Sequence, residues 1–130
     1  MEKAVIYTDG ASKGNPGPAA IGAVIKDGAA GPVITISRRI GRATNNQAEY
    51  RAVIAALEAA LEHGARQVLL YSDSELIVKQ LKGHYRVKNE DLKPLFRRAE
   101  RLIARLDGFH IRHIPRSRNK KADGLANAAL

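Results

Sequence analysis

Residues 67–71 (QVLLY) are apolar at four consecutive positions after Gln67. A strand that is apolar without alternation is buried on both faces, so it needs other elements packed above and below it. That excludes a one-sided sheet and points to an α/β architecture. Upstream, residues 3–8 (KAVIYT), 20–26 (AIGAVIK) and 33–39 (VITISRR) are rich in β-branched residues and separated by the turn stretches GNPGPA and DGAAGP. They read as three antiparallel strands in a meander.

Thr44 offers an N-cap, and Ala48, Ala52, Val53, Ala56, Leu57, Ala60 and Leu61 follow at helical spacing to a stop at Gly64. A short helix is expected from Ser74 to Leu81. A second long one is marked by Leu92, Leu95, Phe96, Ala99, Leu102, Ile103 and Leu106, with Pro94 tolerated in its first turn. FHIRHI (109–114) reads as the fifth strand, and residues 119–129 as a closing helix. The order β-β-β-α-β-α-α-β-α implies a five-stranded mixed sheet, a three-strand antiparallel meander plus parallel strands, flanked by helices. At 130 residues the chain is expected to be one domain.

The chain has no cysteine, which rules out disulfides and thiolate metal sites and suits a reducing cytoplasm. No apolar stretch approaches the roughly 18 residues of a membrane span, and the N-terminus lacks signal-peptide architecture. The formal charge of +9 is unevenly placed. Residues 79–121 hold fourteen of the 22 Lys and Arg against four acids, Glu90, Asp91, Glu100 and Asp107. A stripe of this kind suits a polyanion, whose condensed counterions are released on binding; it is equally the composition of a solvated surface.

Four acids stand apart. Asp9 ends an apolar run in VIYTDGASKGNPG, Asp73 ends another in VLLYSDSELI, Glu49 lies in TNNQAEYRAV and Asp123 in RNKKADGLAN. Each alone has an ordinary reading: Asp9 as the start of an Asp-Gly turn, Asp73 or Asp123 as a cap, Glu49 as a helix acid complementing the dipole. Yet the ends of parallel strands are where ligand crevices form in α/β sheets. Four carboxylates on one rim would repel unless cations neutralised them. Ligands that are all oxygen select hard divalent ions such as Mg²⁺ or Mn²⁺.

Taken in order, YTDGASKGNPG, TNNQAEYRA, YSDSELIVKQL and NKKADGLAN resemble type 1 ribonuclease H over nearly the whole chain. The resemblance implies a ribonuclease-H-like fold, with Asp9, Glu49, Asp73 and Asp123 as the metal-binding catalytic carboxylates. It implies hydrolysis of the RNA strand of an RNA–DNA hybrid, leaving 5′-phosphate and 3′-hydroxyl ends. Two Mg²⁺ ions, with Mn²⁺ as a possible substitute, would activate the water and stabilise the leaving oxygen. No Ser–His–Asp arrangement offers a covalent alternative.

By the same resemblance, Asn15, Asn45 and Asn46 contact RNA 2′-hydroxyls, the group that separates RNA from DNA. Arg42, Thr44 and Asn89 form a pocket for one phosphate of the DNA strand. Two departures are visible. The link from Leu81 to Leu92, KGHYRVKNED, is too short for the basic helix that some members place there, leaving Lys82, His84, Arg86 and Lys88 as a partial replacement. HIPRSRN resembles a shortened-loop variant lacking the mobile histidine, so Arg118 is expected as the auxiliary residue beside Asp123, with Arg116 and His113 as alternatives. The expected molecule is a cytoplasmic monomer acting on hybrid duplexes. Other substrates on the same scaffold, or a non-catalytic binding module, are the competing classes, although such a module would be expected to have lost a carboxylate.

Overall fold

The computed structural model describes residues 1–28 and 30–130. The first three strands are β1 (Lys3–Ser12), β2 (Gly17–Asp27) and β3 (Pro32–Ala43). They are followed by α1 (Asn45–Glu62), β4 (Gln67–Ser72), α2 (Glu75–Leu81), α3 (Lys93–Ile103), β5 (Gly108–His113) and α4 (Lys120–Ala129). A 3-10 turn, Arg116–Arg118, sits between β5 and α4. The sheet order is β3-β2-β1-β4-β5, antiparallel among the first three strands and parallel at β1–β4 and β4–β5. This is the mixed five-stranded sheet expected from the sequence.

The main differences lie in strand length. β1 runs past Asp9 to Ser12, β2 begins at Gly17 and β3 extends to Ala43. The antiparallel pairing of β1 with β2 continues to Ser12 opposite Ala19, so glycine and small polar residues that read as breakers are held in strands by ladder hydrogen bonds. Residue 29 of the DGAAGP turn lies outside the described residues. Helix limits differ by a residue or a few from the periodic pattern.

Ile6, Ile21, Ile25, Leu70 and Ile111 project from one sheet face onto Tyr50, Val53, Leu57, Ile77 and Leu102 of the helices. The alanines of α1 at positions 48, 52, 56 and 60 are fully buried, which lets the helix lie close to β1. Tyr50, also fully buried, donates its hydroxyl to Gln80 Oε1 at 2.5 Å and meets Phe96 edge-on, fastening α1 to α2 and α3. On the other face, α4 packs across β1, β2 and β3.

Candidate active site

Two glycines set the distances at the carboxylate rim. A Cβ on Gly10 would lie 2.4 Å from Ala48 C and 2.5 Å from Glu49 N, so only glycine allows the start of α1 to touch β1 there. A Cβ on Gly22, the register partner of Asp9, would lie 2.2 Å from Ala122 O. Successive strand residues alternate faces, so Gly10 faces α1 while Asp9 and Gly22 face α4. The end of β1 is thereby clasped from both sides, by the helix carrying Glu49 and the helix carrying Asp123.

Oxygens of Asp9, Glu49 and Asp73 lie within 4.8 Å of one another. Asp9 and Glu49 are buried, and Gly10 N–H donates to Glu49 Oε1 at 2.5 Å. Asp73 follows β4 directly, between Ser72, which accepts from Ser74 N–H at 3.0 Å, and Ser74, whose hydroxyl caps α2 at Ile77 N–H. The two serines fix the turn so that Asp73 faces the other acids. Asp123 lines the same cavity of about 620 Å³, with Arg116 at 3.8 Å and Asn127 Nδ2 donating to its Oδ1 at 3.1 Å. The ordinary readings do not hold: Asp9 is inside a strand, Glu49 is buried and lies beyond the first turn of α1, Ser74 is the α2 cap, and Asp123 follows the Asn119 cap in the first turn of α4.

Burial pushes the Asp9 carboxyl far above the usual range, and its contact with Glu49 pushes the same way. Glu49 is also raised, by burial first, although the hydrogen bonds from Asp9 and Gly10 N–H partly oppose the rise. The chain alone therefore holds a proton in this cluster near neutral pH. A divalent cation would replace that proton, and the all-oxygen donor set fits a hard ion.

Asn119 is a site residue that sequence reasoning missed. It is 1% exposed, and its Nδ2 donates to Thr8 O at 2.8 Å and to Asp73 Oδ2 at 3.1 Å. One amide thus ties the strand of Asp9, the turn of Asp73 and the helix of Asp123. Its position in RNKKADGLAN suggested a helix start, and the structure places it at the cap of α4 without a capping hydrogen bond. The available signal was its offset of four residues from Asp123.

Asn45 and Asn46 line the carboxylate cavity, and Asn15 Oδ1 accepts from Asn45 N–H at 3.0 Å. The Asn15–Pro16 peptide is cis. Thr44 forms a capping box with Gln47, and Arg42 is exposed at the end of β3. Asn89 is exposed and accepts from Asp91 N–H at 2.8 Å within its own turn. Residues 82–92 form no helix; Arg86 and Lys88 join Lys93, Phe96, Arg97 and Glu100 around a groove of about 550 Å³.

The three auxiliary candidates separate. Arg116 lines the carboxylate cavity. Arg118, the first choice from sequence, instead lines a cleft with Tyr7, Lys26 and Lys121. In a 3-10 turn, side chains two residues apart point about 120° away from each other, so Arg116 and Arg118 face different clefts. His113 ends β5, exposed, with Nε2 3.3 Å from the Asp73 carbonyl oxygen.

The chain matches the family described as "Reverse transcriptase-like" over residues 7–129. It is similar to ribonuclease HI of Halobacterium salinarum, 51% identical over 95% of this chain and 62% of that protein. It covers 35% of a 44% identical bifunctional protein of Mycobacterium tuberculosis, so it spans about three fifths and one third of these relatives' lengths. The crystal structure of RNase H1 from Halobacterium salinarum superposes with a TM-score of 0.95 at 49% identity, covering 98% of this chain and 96% of that one. LC11-RNase H1 in complex with an RNA/DNA hybrid gives 0.91 at 43% identity, covering 97% and 95%. With this fold, the clustered carboxylates and no helix between α2 and α3, the chain belongs to the type 1 ribonuclease H family, in its short form without the basic protrusion.

Proposed function

We propose that the chain is an endonuclease that hydrolyses the RNA strand of RNA–DNA hybrids, leaving 5′-phosphate and 3′-hydroxyl ends. The observation that carries this reading is the convergence of Asp9, Glu49 and Asp73 oxygens within 4.8 Å, at a rim that α1 and α4 clasp. Asp9, Glu49, Asp73 and Asp123 would hold two divalent ions, Mg²⁺ with Mn²⁺ as a substitute. Bound there, such ions supply an activated water and stabilise the leaving oxygen.

The protein's own part is to prepare the place. Gly10 N–H orients Glu49, and Asn119 holds Asp73 against the end of β1. Asn45 and Asn46 sit on the cavity wall, where amide groups can meet 2′-hydroxyls, and Asn15 fixes the Asn45 backbone. Arg42, Thr44 and Asn89 supply guanidinium, hydroxyl and amide donors for a DNA-strand phosphate. Arg116 is the auxiliary cation beside Asp123, since its guanidinium shares the cavity and Arg118 does not. Lys82, His84, Arg86 and Lys88 add phosphate affinity along the α2–α3 link.

No helix among the described residues is long and apolar enough to cross a membrane. The expected setting is the cytoplasm, which a chain without cysteine suits, and the expected state is a monomer. The test is cleavage of a labelled hybrid, an RNA duplex and a DNA duplex with Mg²⁺ or Mn²⁺, repeated with Asp73→Asn. Only the hybrid should be cut, and the variant should not cut it. Equal cutting of the RNA duplex would remove the hybrid assignment, and metal-dependent activity in the variant would remove the carboxylate mechanism.

A further inference from the structure

One face of the sheet is only half covered. α4 packs over β1, β2 and β3, whereas α1, α2 and α3 lie on the opposite side. Register places Tyr7, Leu69, Tyr71, His110 and Arg112 on the α4 side, and no described helix packs over the β4–β5 part of it. Tyr7 and Tyr71 are register partners, half-buried, with ring centroids 5.0 Å apart and planes 22° apart. Lys26 Nζ lies 5.5 Å from the Tyr7 centroid, and Arg112 is the register partner of Tyr71 on its other side. Arg118 and Lys121 join Tyr7 and Lys26 around a cleft of about 220 Å³ that no acid lines.

A cross-strand aromatic pair can exist for sheet stability alone. Two features go beyond that role. Apart from the carboxylates of the next rung, the charged side chains beside the rings are cationic, Lys26, Arg112, Arg118 and Lys121, and the rings stand beside the proposed cutting site. Tyr7 precedes Asp9 by two residues and Tyr71 precedes Asp73 by two, so aromatic and carboxylate rows are neighbouring rungs, about 7 Å apart along the strands. Single-stranded RNA is bound by stacking bases on aromatic rings and guanidinium planes while cations meet the phosphates.

We propose that this face binds an unpaired segment of the RNA strand, continuous with the part held at the carboxylates. The inference rests on the hybrid reading above. Tyr71 and Arg112 offer surfaces for a base, while Lys26, Arg118 and Lys121 meet the backbone. RNA is the proposed occupant because the rings lie one rung from the carboxylates, where the proposed chemistry places the strand being cut. The expected DNA grip, at Arg42 and Thr44, lies instead at the end of β3.

The test compares KM for a blunt hybrid with KM for the same hybrid carrying a ten-nucleotide RNA or DNA overhang. A labelled ten-nucleotide RNA single strand is also titrated by anisotropy without divalent metal. The RNA overhang should lower KM roughly fivefold, as one base stacked at the weak end of the usual range would. Lys26→Glu with Arg112→Glu, and separately Tyr71→Leu, should erase that gain and weaken single-strand binding, with kcat and KM on the blunt hybrid unchanged. An RNA overhang without effect, an equal gain from a DNA overhang, or a gain that persists in both variants would overturn the proposal. If the blunt hybrid is not cut at all, the activity reading fails, while the single-strand titration still decides this face.

Discussion

On the proposed reading, the carboxylate rim and the α2–α3 link would handle the same polyanion with opposite physics. At the rim, Asp9 and Glu49 are buried, backbone meets backbone through two glycines, and Asn119 ties three segments together. Along the link, Lys82, His84, Arg86 and Lys88 are all exposed, and the backbone between Leu81 and Lys93 forms no helix. Burying like charges costs stability and yields a fixed geometry, which the chemistry needs. Exposed cations cost little and yield affinity that salt can screen, which a duplex of any sequence needs. The positioning is therefore concentrated where a small displacement matters, and the charge is spread where it does not.

The largest effect should come from removing one buried charge. Asp9→Asn should lower hydrolysis of a hybrid roughly a thousandfold, since it removes a metal ligand and its charge. The same change should stabilise the metal-free protein at neutral pH by about 1 to 3 kcal/mol, read from denaturant midpoints, because the folded chain no longer has to take up a proton to bury this carboxyl. A variant that loses activity and stability together would mean the rim is not a strained cluster. The pH dependence has the same origin. Asp9 and Glu49 are raised in the folded state above their ordinary values of 3.8 and 4.5. The folded chain therefore binds more protons than the unfolded one, and metal-free stability should fall as pH rises from that range through neutral. Saturating Mg²⁺ should flatten the slope.

Gly10→Ala tests the clasp without touching a charge. The new Cβ would press on the Ala48 and Glu49 backbone at 2.4–2.5 Å, which cannot yield as a side-chain tip can. We expect about 3 kcal/mol of destabilisation and roughly a hundredfold loss of kcat, the scale of a displacement of about 1 Å. Loss of stability with normal kcat would show that Glu49 does not need this contact. The link should behave in the contrary way. Lys82→Ala, Arg86→Ala and Lys88→Ala together should raise KM about tenfold at moderate salt and reduce the salt slope by about two to three, leaving kcat near its original value.

Much of this was legible in the sequence, for reasons that differ between regions. QVLLY and the α1 alanines carry burial in their own composition, so strand, helix and sheet order follow from patterning. Asp9, Glu49 and Asp73 were readable because each motif places an acid at a strand end or in the first turns of a helix. The β1 boundary was not readable: Asp-Gly looks like a turn until β2 supplies its ladder partners at Gly22 and Ile21. Asn119 was hidden for a similar reason. Its partners, Thr8 and Asp73, are 111 and 46 residues away, and local rules see only a helix start.

The auxiliary cation gives the smallest and sharpest test of the contrast. Sequence alone favoured Arg118, because a shortened loop leaves an arginine where other members place a histidine. The 3-10 turn directs Arg116 to the acids and Arg118 to the cleft beside Tyr7. Arg116→Ala should therefore lower kcat about three- to tenfold, the scale of one exposed charge acting at a few ångströms. Arg118→Ala and His113→Ala should leave kcat on a blunt hybrid within about twofold, as surface changes do. Arg116→Lys should recover part of the loss, since the charge returns without the planar fork. If Arg118→Ala proves the more damaging, the turn must rearrange when the hybrid binds, and this corner of the rim would share the adaptability of the basic link.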